Sequence, residues 1–153
     1  MKTYRLTRSQ QLPCDIHVAW AFFSAPGNLA RITPPDMKFT VRTPVGNQPI
    51  YEGMRIDYYV SPLFGIRLKW QTEITHVDHE RSFTDIQKKG PYRLWHHHHE
   101  FIPNNGGVLM HDTVDYQLPF WMLGNLIQGV VQKKLNHIFD FRHQVLTTLF
   151  TEK

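Results

Sequence analysis

The stretch that most constrains this chain is a pair of runs separated by a short polar segment: Trp95 to Phe101, WHHHHEF, and Val108 to Pro119, VLMHDTVDYQLP. At the period of two that a strand imposes, Trp95, His97, His99 and Phe101 fall on one face, and His96, His98 and Glu100 on the other. Between the runs stands Pro103-Asn104-Asn105-Gly106-Gly107, whose Asn-Gly and Gly-Gly dipeptides supply the positive φ angles of a tight hairpin. A turn centred on Asn105 and Gly106 sets Phe101 opposite Met110, His99 opposite Asp112, His97 opposite Val114 and Trp95 opposite Tyr116. That register puts an imidazole beside a carboxylate on an otherwise apolar face. The run is internal and flanked by strand residues, unlike a purification tag, which sits at a terminus.

The rest of the chain builds around this hairpin. Residues 2 to 12 read as a first strand with Tyr4 and Leu6 inward. Asp15 caps a helix from Ile16 to Ser24, in which Ile16, Trp20 and Phe23 share a face, and Pro26-Gly27 breaks it. A second short helix, Leu29 to Ile32, stops before Thr33-Pro34-Pro35. Period-two patterning then predicts strands at Met37 to Thr43, Tyr51 to Val60 and Ile66 to Val77, with a turn at 61–65. The third alternates most cleanly, setting Leu68, Trp70, Thr72, Ile74 and His76 on one side. SFTDIQK at 82–88 is ambiguous, with Phe83, Asp85 and Gln87 on one face, Thr84 and Ile86 on the other. Everything from Pro119 to residue 150 reads as one helix with an apolar stripe from Leu123 to Leu149.

Strands cluster and helices segregate, so the class is α+β: a curved antiparallel sheet of about six to seven strands gripping a long C-terminal helix, with two short helices after the first strand. A chain of 153 residues is sized for one domain, 1–153, with a core that can hold a cavity. The 17 basic residues are scattered, pairing only at Lys88-Lys89 and Lys133-Lys134, so no nucleic-acid partner is expected. No apolar run approaches the roughly 20 residues of a membrane span, and the N-terminus lacks the apolar core of a signal peptide, so stable membrane insertion is not expected. A single cysteine, Cys14, excludes an internal disulfide and fits a reducing compartment, which makes the cytoplasm the expected location.

With this element order in place, the sequence resembles the helix-grip superfamily, which includes START lipid-transfer domains, birch-pollen-allergen-like proteins and polyketide cyclases. It is similar in particular to its bacterial single-domain branch, described as polyketide cyclase/dehydrase and lipid transport proteins (SRPBCC-like). The resemblance is carried by Pro13 to Pro35, Trp70 to Ile74 (WQTEI), Phe83 to Tyr92 (FTDIQKKGPY), Trp95 to Phe101, Asp112 to Pro119 (DTVDYQLP) and Ile138 to Arg142 (IFDFR). It implies a hydrophobic cavity beneath the long helix that takes lipids, sterols, polyketides or other aromatic molecules. The chain departs from the branch where a glycine is expected after Tyr-x-Leu-Pro: Phe120-Trp121-Met122-Leu123 stand before Gly124, and bulky residues there can narrow the cavity mouth.

The expected function is therefore binding or carriage of a small hydrophobic or aromatic molecule between sheet and helix, in a pocket of about 300 to 1,000 Å³. Its wall is expected to include Trp70, Asp85, Gln87, Trp95, His97 and His99, together with Phe101, Met110, Asp112, Tyr116 and Phe139. His99 with Asp112 is the sharpest pair, because a carboxylate on one imidazole nitrogen leaves the other a defined base or donor. Two readings stand: a ligand contact or buried polar pair, or a cyclase, aromatase or dehydratase using His99 and Asp112 with Tyr116. Four histidines invite a metal, but strand parity lets only His97 with His99, or His96 with His98, converge. A third ligand must then come from elsewhere, with Asp112 available to the first pair. Structural or solvent-facing histidines, with no metal and no cofactor, are the expectation.

Overall fold

In the computed structural model, which describes residues 2–62 and 65–151, the strands join one seven-stranded antiparallel sheet. They are β1 (Tyr4–Leu12), β2 (Thr40–Val41), β3 (Arg55–Val60), β4 (Leu68–Asp78), β5 (Ser82–Lys89), β6 (Leu94–Asn104) and β7 (Gly107–Gln117), in the spatial order β1-β7-β6-β5-β4-β3-β2. Consecutive strands from β2 to β7 are neighbours, so only β1 reaches its place through a distant partner. Two helices complete the fold. α1 (Ile16–Phe23) follows β1, and α2 (Asn125–Thr151) ends the described chain. Between α1 and β2 run two 3₁₀ segments, Pro26–Ile32 and Pro35–Met37.

Side-chain parity decides which face each strand buries. Along β7 the pattern alternates without a break: Val108, Met110, Asp112, Val114 and Tyr116 are buried, and the residues between them are half-exposed. β6 follows suit, and its register on β7 is the expected one, Phe101 with Met110, His99 with Asp112, His97 with Val114 and Trp95 with Tyr116. The turn does connect through Asn105 and Gly106, but the positive φ falls on Gly107 (124°) and not on the two turn residues. Gly107 is needed for a second reason. A Cβ there would stand 2.2 Å from the Leu12 carbonyl oxygen, so the hairpin closes directly onto the end of β1.

α1 starts where Asp15 caps it, its Oδ1 accepting from the Val18 amide at 3.0 Å. It drives Trp20 against Phe83 and Phe101, with ring centroids 6.0 and 5.7 Å away, and so seals one end of the sheet. α2 buries Val131, Leu135, Phe139, Arg142 and Leu146, a stripe at spacings of three and four that lies over the sheet's inner face. An arginine therefore occupies a core position of that stripe.

Several sequence expectations shift. The strand expected at Met37 to Thr43 shrinks to Thr40–Val41, because Met37 ends a 3₁₀ turn and Lys38 adopts a left-handed conformation. Tyr51 to Met54 is a turn, with β3 beginning at Arg55. In β4 the register breaks between Ile74 and His76, so the inward alternation passes from Ile74 to Val77 and His76 lies on the surface. The long helix begins at Asn125 and not at Pro119, because Phe120–Met122 form a 3₁₀ turn and Gly124 adopts φ 144°. The expected turn at 61–65 includes Leu63 and Phe64, which lie outside the described residues.

Candidate functional site

Between the inner face of the sheet and the stripe of α2 lies a cavity of about 210 Å³. Its floor comes from β3, β4, β5 and β6, its roof from Leu135, Ile138, Phe139 and Arg142 of α2, and its rim from α1 and the 3₁₀ segments after it. Most of the wall is apolar. The volume falls short of the expected 300 Å³ because large rings point inward from several strands. Trp70 packs edge-on against Trp95 (centroids 5.4 Å) and Tyr92 (5.8 Å), and Tyr92 lies against Trp95 at 4.9 Å. An engineered cavity of about 150 Å³ holds benzene, so this space suits a molecule of one or two small rings.

One side of the wall is ionic. Asp85 lies opposite His97 on β5 and β6, and Phe83 lies opposite His99. His97 Nε2 donates to Asp112 Oδ1 at 2.9 Å, and His99 Nε2 donates to Asp85 Oδ2 at 2.7 Å. His99 Nδ1 is 3.1 Å from the same Asp112 oxygen, but out of line for a hydrogen bond. Arg142 closes the group from α2, its Nη2 3.9 Å from Asp112 Oδ1 and its Nε buried without a partner among the described residues. Its guanidinium carbon lies 5.4 Å from the Phe23 ring centroid and 5.8 Å from that of Phe139. The imidazoles stack at 3.7 Å between centroids, and His99 stacks on Phe83 at 4.0 Å.

These contacts set the charges. Burial opposes ionisation of Asp112, but the Arg142 charge, then the hydrogen bond from His97 and the close approach of His99, overcome it and hold the carboxyl well below the usual range. Asp85 is lowered as well, against burial, chiefly by the hydrogen bond from His99. The histidines diverge. Burial and then the neighbouring His99 charge lower His97 despite Asp112, whereas two carboxylates raise His99 against the cost of its burial. Two imidazoles stacked this closely cannot both hold a charge cheaply, and of the two the surroundings favour a proton on His99 over one on His97.

Of the residues expected on the wall, Trp70, Asp85, Trp95, His97, His99 and Phe139 face the cavity. Asp112 lies behind the two histidines, holding both in place without reaching the open space. Phe101 and Met110 belong to the packing around Trp20 and Leu146. Tyr116 stacks on Tyr4 at 5.4 Å beneath the start of α2. Gln87 clamps the turn before β6, donating to the Tyr92 carbonyl at 2.7 Å and accepting from its amide at 3.0 Å. The sequence reading missed Arg142, although an arginine at a core position of the α2 stripe was a visible signal. It also paired His99 with Asp112 alone, whereas Asp112 hydrogen-bonds His97 and His99 reaches Asp85. Phe120 and Trp121, expected to narrow the mouth, are 80% and 76% exposed and are not among the residues that line the cavity.

Solved structures with this arrangement place the fold. A START superfamily protein from Mycobacterium smegmatis superposes with a TM-score of 0.70 at 10% identity, over 95% of this chain and 98% of its own. The ginseng major latex-like protein 151 from Panax ginseng gives 0.70 at 14% identity, covering 98% and 99%. The protein Ms6760 from Mycobacterium smegmatis gives 0.70 at 18% identity, covering 97% and 91%. This is the helix-grip fold. No protein-family profile matches the sequence, and neither does any curated protein. Identities this low speak for the architecture, and chemistry must come from the site itself.

Proposed function

We propose that this protein binds or carries a small hydrophobic or aromatic molecule in the cavity between sheet and α2. The observation that carries this is the wall itself: an apolar, aromatic enclosure of about 210 Å³ interrupted on one side by a buried ionic group. Rings such as Trp70, Tyr92, Trp95 and Phe139 offer faces and edges to a flat ligand. Asp85, the histidines and Arg142 offer hydrogen bonds to a carbonyl or hydroxyl at one end. The resemblance to START and latex-like proteins supports the same reading, as does the exposed rim formed by the segment after α1. Among the described residues no helix is long and apolar enough to cross a membrane. The cytoplasm, where a lone thiol such as Cys14 stays reduced, belongs to this reading.

The enzyme alternative asks His99 and Asp112 to move a proton with Tyr116. Three features weigh against it: both His99 nitrogens face carboxylates, a raised imidazole is a poor base, and Tyr116 lies off the cavity wall.

Native mass spectrometry of protein purified without denaturation tests the binding reading. Wild type is expected to retain a small molecule, or to take up added one- and two-ring aromatic probes. Ile138→Trp, which fills the roof of the cavity, should lose that capacity while keeping its circular-dichroism spectrum. Equal uptake by both proteins would refute occupancy of this cavity.

A further inference from the structure

The ionic group on the cavity wall has the parts of a metal centre. Asp85, His97 and His99 each present one donor atom, and the three atoms lie within 4.8 Å of one another. Coordination at about 2.0 to 2.2 Å needs donors roughly 3 to 4 Å apart, a closure of at most about 1 to 2 Å. The strands bring the donors together, and on binding the two imidazoles, stacked at 3.7 Å, must turn out of their stack to aim at one ion. His97 and His99 are two residues apart on β6 and share a face, and Asp85 stands opposite His97 on β5. A sheet triangle of this kind occupies one side of an ion and leaves its other positions facing the cavity.

The support behind the ligands points the same way. A metal-bound imidazole almost always donates its second nitrogen to a carboxylate, which fixes the tautomer and raises its basicity. Asp112 stands in that place for His97, 2.9 Å from its Nε2, and lies 3.1 Å from His99 Nδ1, where a small turn of that ring would align the same bond. This leaves His97 Nδ1, which makes no hydrogen bond among the described residues, and His99 Nε2 as the coordinating atoms. Two carboxylates also supply negative charge at a depth where isolated anions are costly. Arg142 lines the same cavity, and its Nε is buried without a partner among the described residues.

We propose that Asp85, His97 and His99 form a binding site for a divalent transition-metal ion with nitrogen and oxygen preference, such as Fe²⁺, Co²⁺ or Zn²⁺, with Asp112 as the positioning residue behind both histidines. On binding, the ion displaces the proton between His99 and Asp85 to solvent, and that nitrogen's lone pair turns to the metal. The site stands whether or not an organic ligand occupies the cavity.

The test uses Co²⁺ and Zn²⁺ on the full chain carrying His96→Gln, His98→Gln and His111→Gln, which removes the three outward imidazoles of the hairpin as competing ligands. Calorimetry should give one ion per chain, with a Co²⁺ visible spectrum of a nitrogen and oxygen site and a raised thermal midpoint. Asp85→Asn and His97→Gln should each weaken binding by about 100-fold or more, and Asp112→Asn by about 10- to 100-fold. If a variant does not fold in the metal-free form, the parent decides alone, because Co²⁺ should shift the proton resonances of two imidazoles paramagnetically. Loss of all binding on removing the outward histidines, unchanged affinity in Asp85→Asn, or no shifted imidazole resonances would overturn the site.

Discussion

His97 and His99 differ from His96 and His98 only by one step along the same strand, yet they inhabit different chemistry. The inner pair is 7% and 6% exposed, stacked ring on ring between carboxylates, with their pKa values pushed in opposite directions. The outer face also has carboxylates. His96 lies opposite Asp115, Glu100 opposite His111, and His98 shares a 2.8 Å hydrogen bond with Thr84. Those outer groups keep water, so their partners add little and each can move independently. Both faces set imidazoles beside carboxylates; depth makes the difference, because desolvation turns proximity into obligation.

The sharpest way to break this comparison is to remove one carboxylate from each face of β7. Asp112→Asn strips Arg142 and both inner histidines of their common anion, and should cost about 3 to 5 kcal/mol in urea unfolding, the range for orphaning a buried charge. Asp115→Asn removes only the exposed pair with Arg5 and should leave the unfolding midpoint where it was. Equal losses would mean that depth is not the deciding variable.

A milder contrast uses the histidines themselves. His97→Gln loses a buried hydrogen bond to a carboxylate and should cost about 1 to 3 kcal/mol, read from the same denaturant curves. His98→Gln, half-buried with a hydroxyl partner, should stay within about 0.5 kcal/mol. The smallest effect belongs to an outer histidine with a close carboxylate, His17, whose Nδ1 lies 2.5 Å from Glu80 Oε1. The hydrogen bond and then the charge of Glu80 raise its pKa. A raised histidine contributes stability that is fully present below its unfolded value of about 6.5 and disappears as pH rises through the folded value. Glu80→Gln should therefore lower the thermal midpoint slightly at about pH 5.5 and not at about pH 8.5. A larger effect at the higher pH would reverse the sign.

How much of this was legible beforehand follows from which residues fix themselves locally. The β6–β7 register was readable because parity and a two-residue turn over-determine it, and the α2 stripe because its period spans many turns. The bulge that turns His76 outward was not, since an irregularity in pairing leaves no mark on composition. Nor was the meeting of Asp85 with His97 and His99. SFTDIQK offers both faces equally, so the choice is made by β5's neighbours, and the short hydrogen bond to His99 exists only once that choice is made. Arg142 shows the same dependence across elements. Its helical position predicts burial, but the reason a cation is tolerated there lies on β7, 30 positions earlier at Asp112.

The pairing of β1 with β7 carries a consequence for how the chain is made. Tyr4 needs Tyr116 and Leu12 needs Val108 as partners, while every other strand finds a neighbour made just before or just after it. On a ribosome adding about 5 to 20 residues each second, the first strand emerges and waits several seconds for the one that completes it. During that interval Leu12 and the underside of Trp20 have no hairpin to cover them. A chaperone that meets this nascent chain has its window while β1 is unpaired, and that window shuts only once β7 has emerged as far as Tyr116.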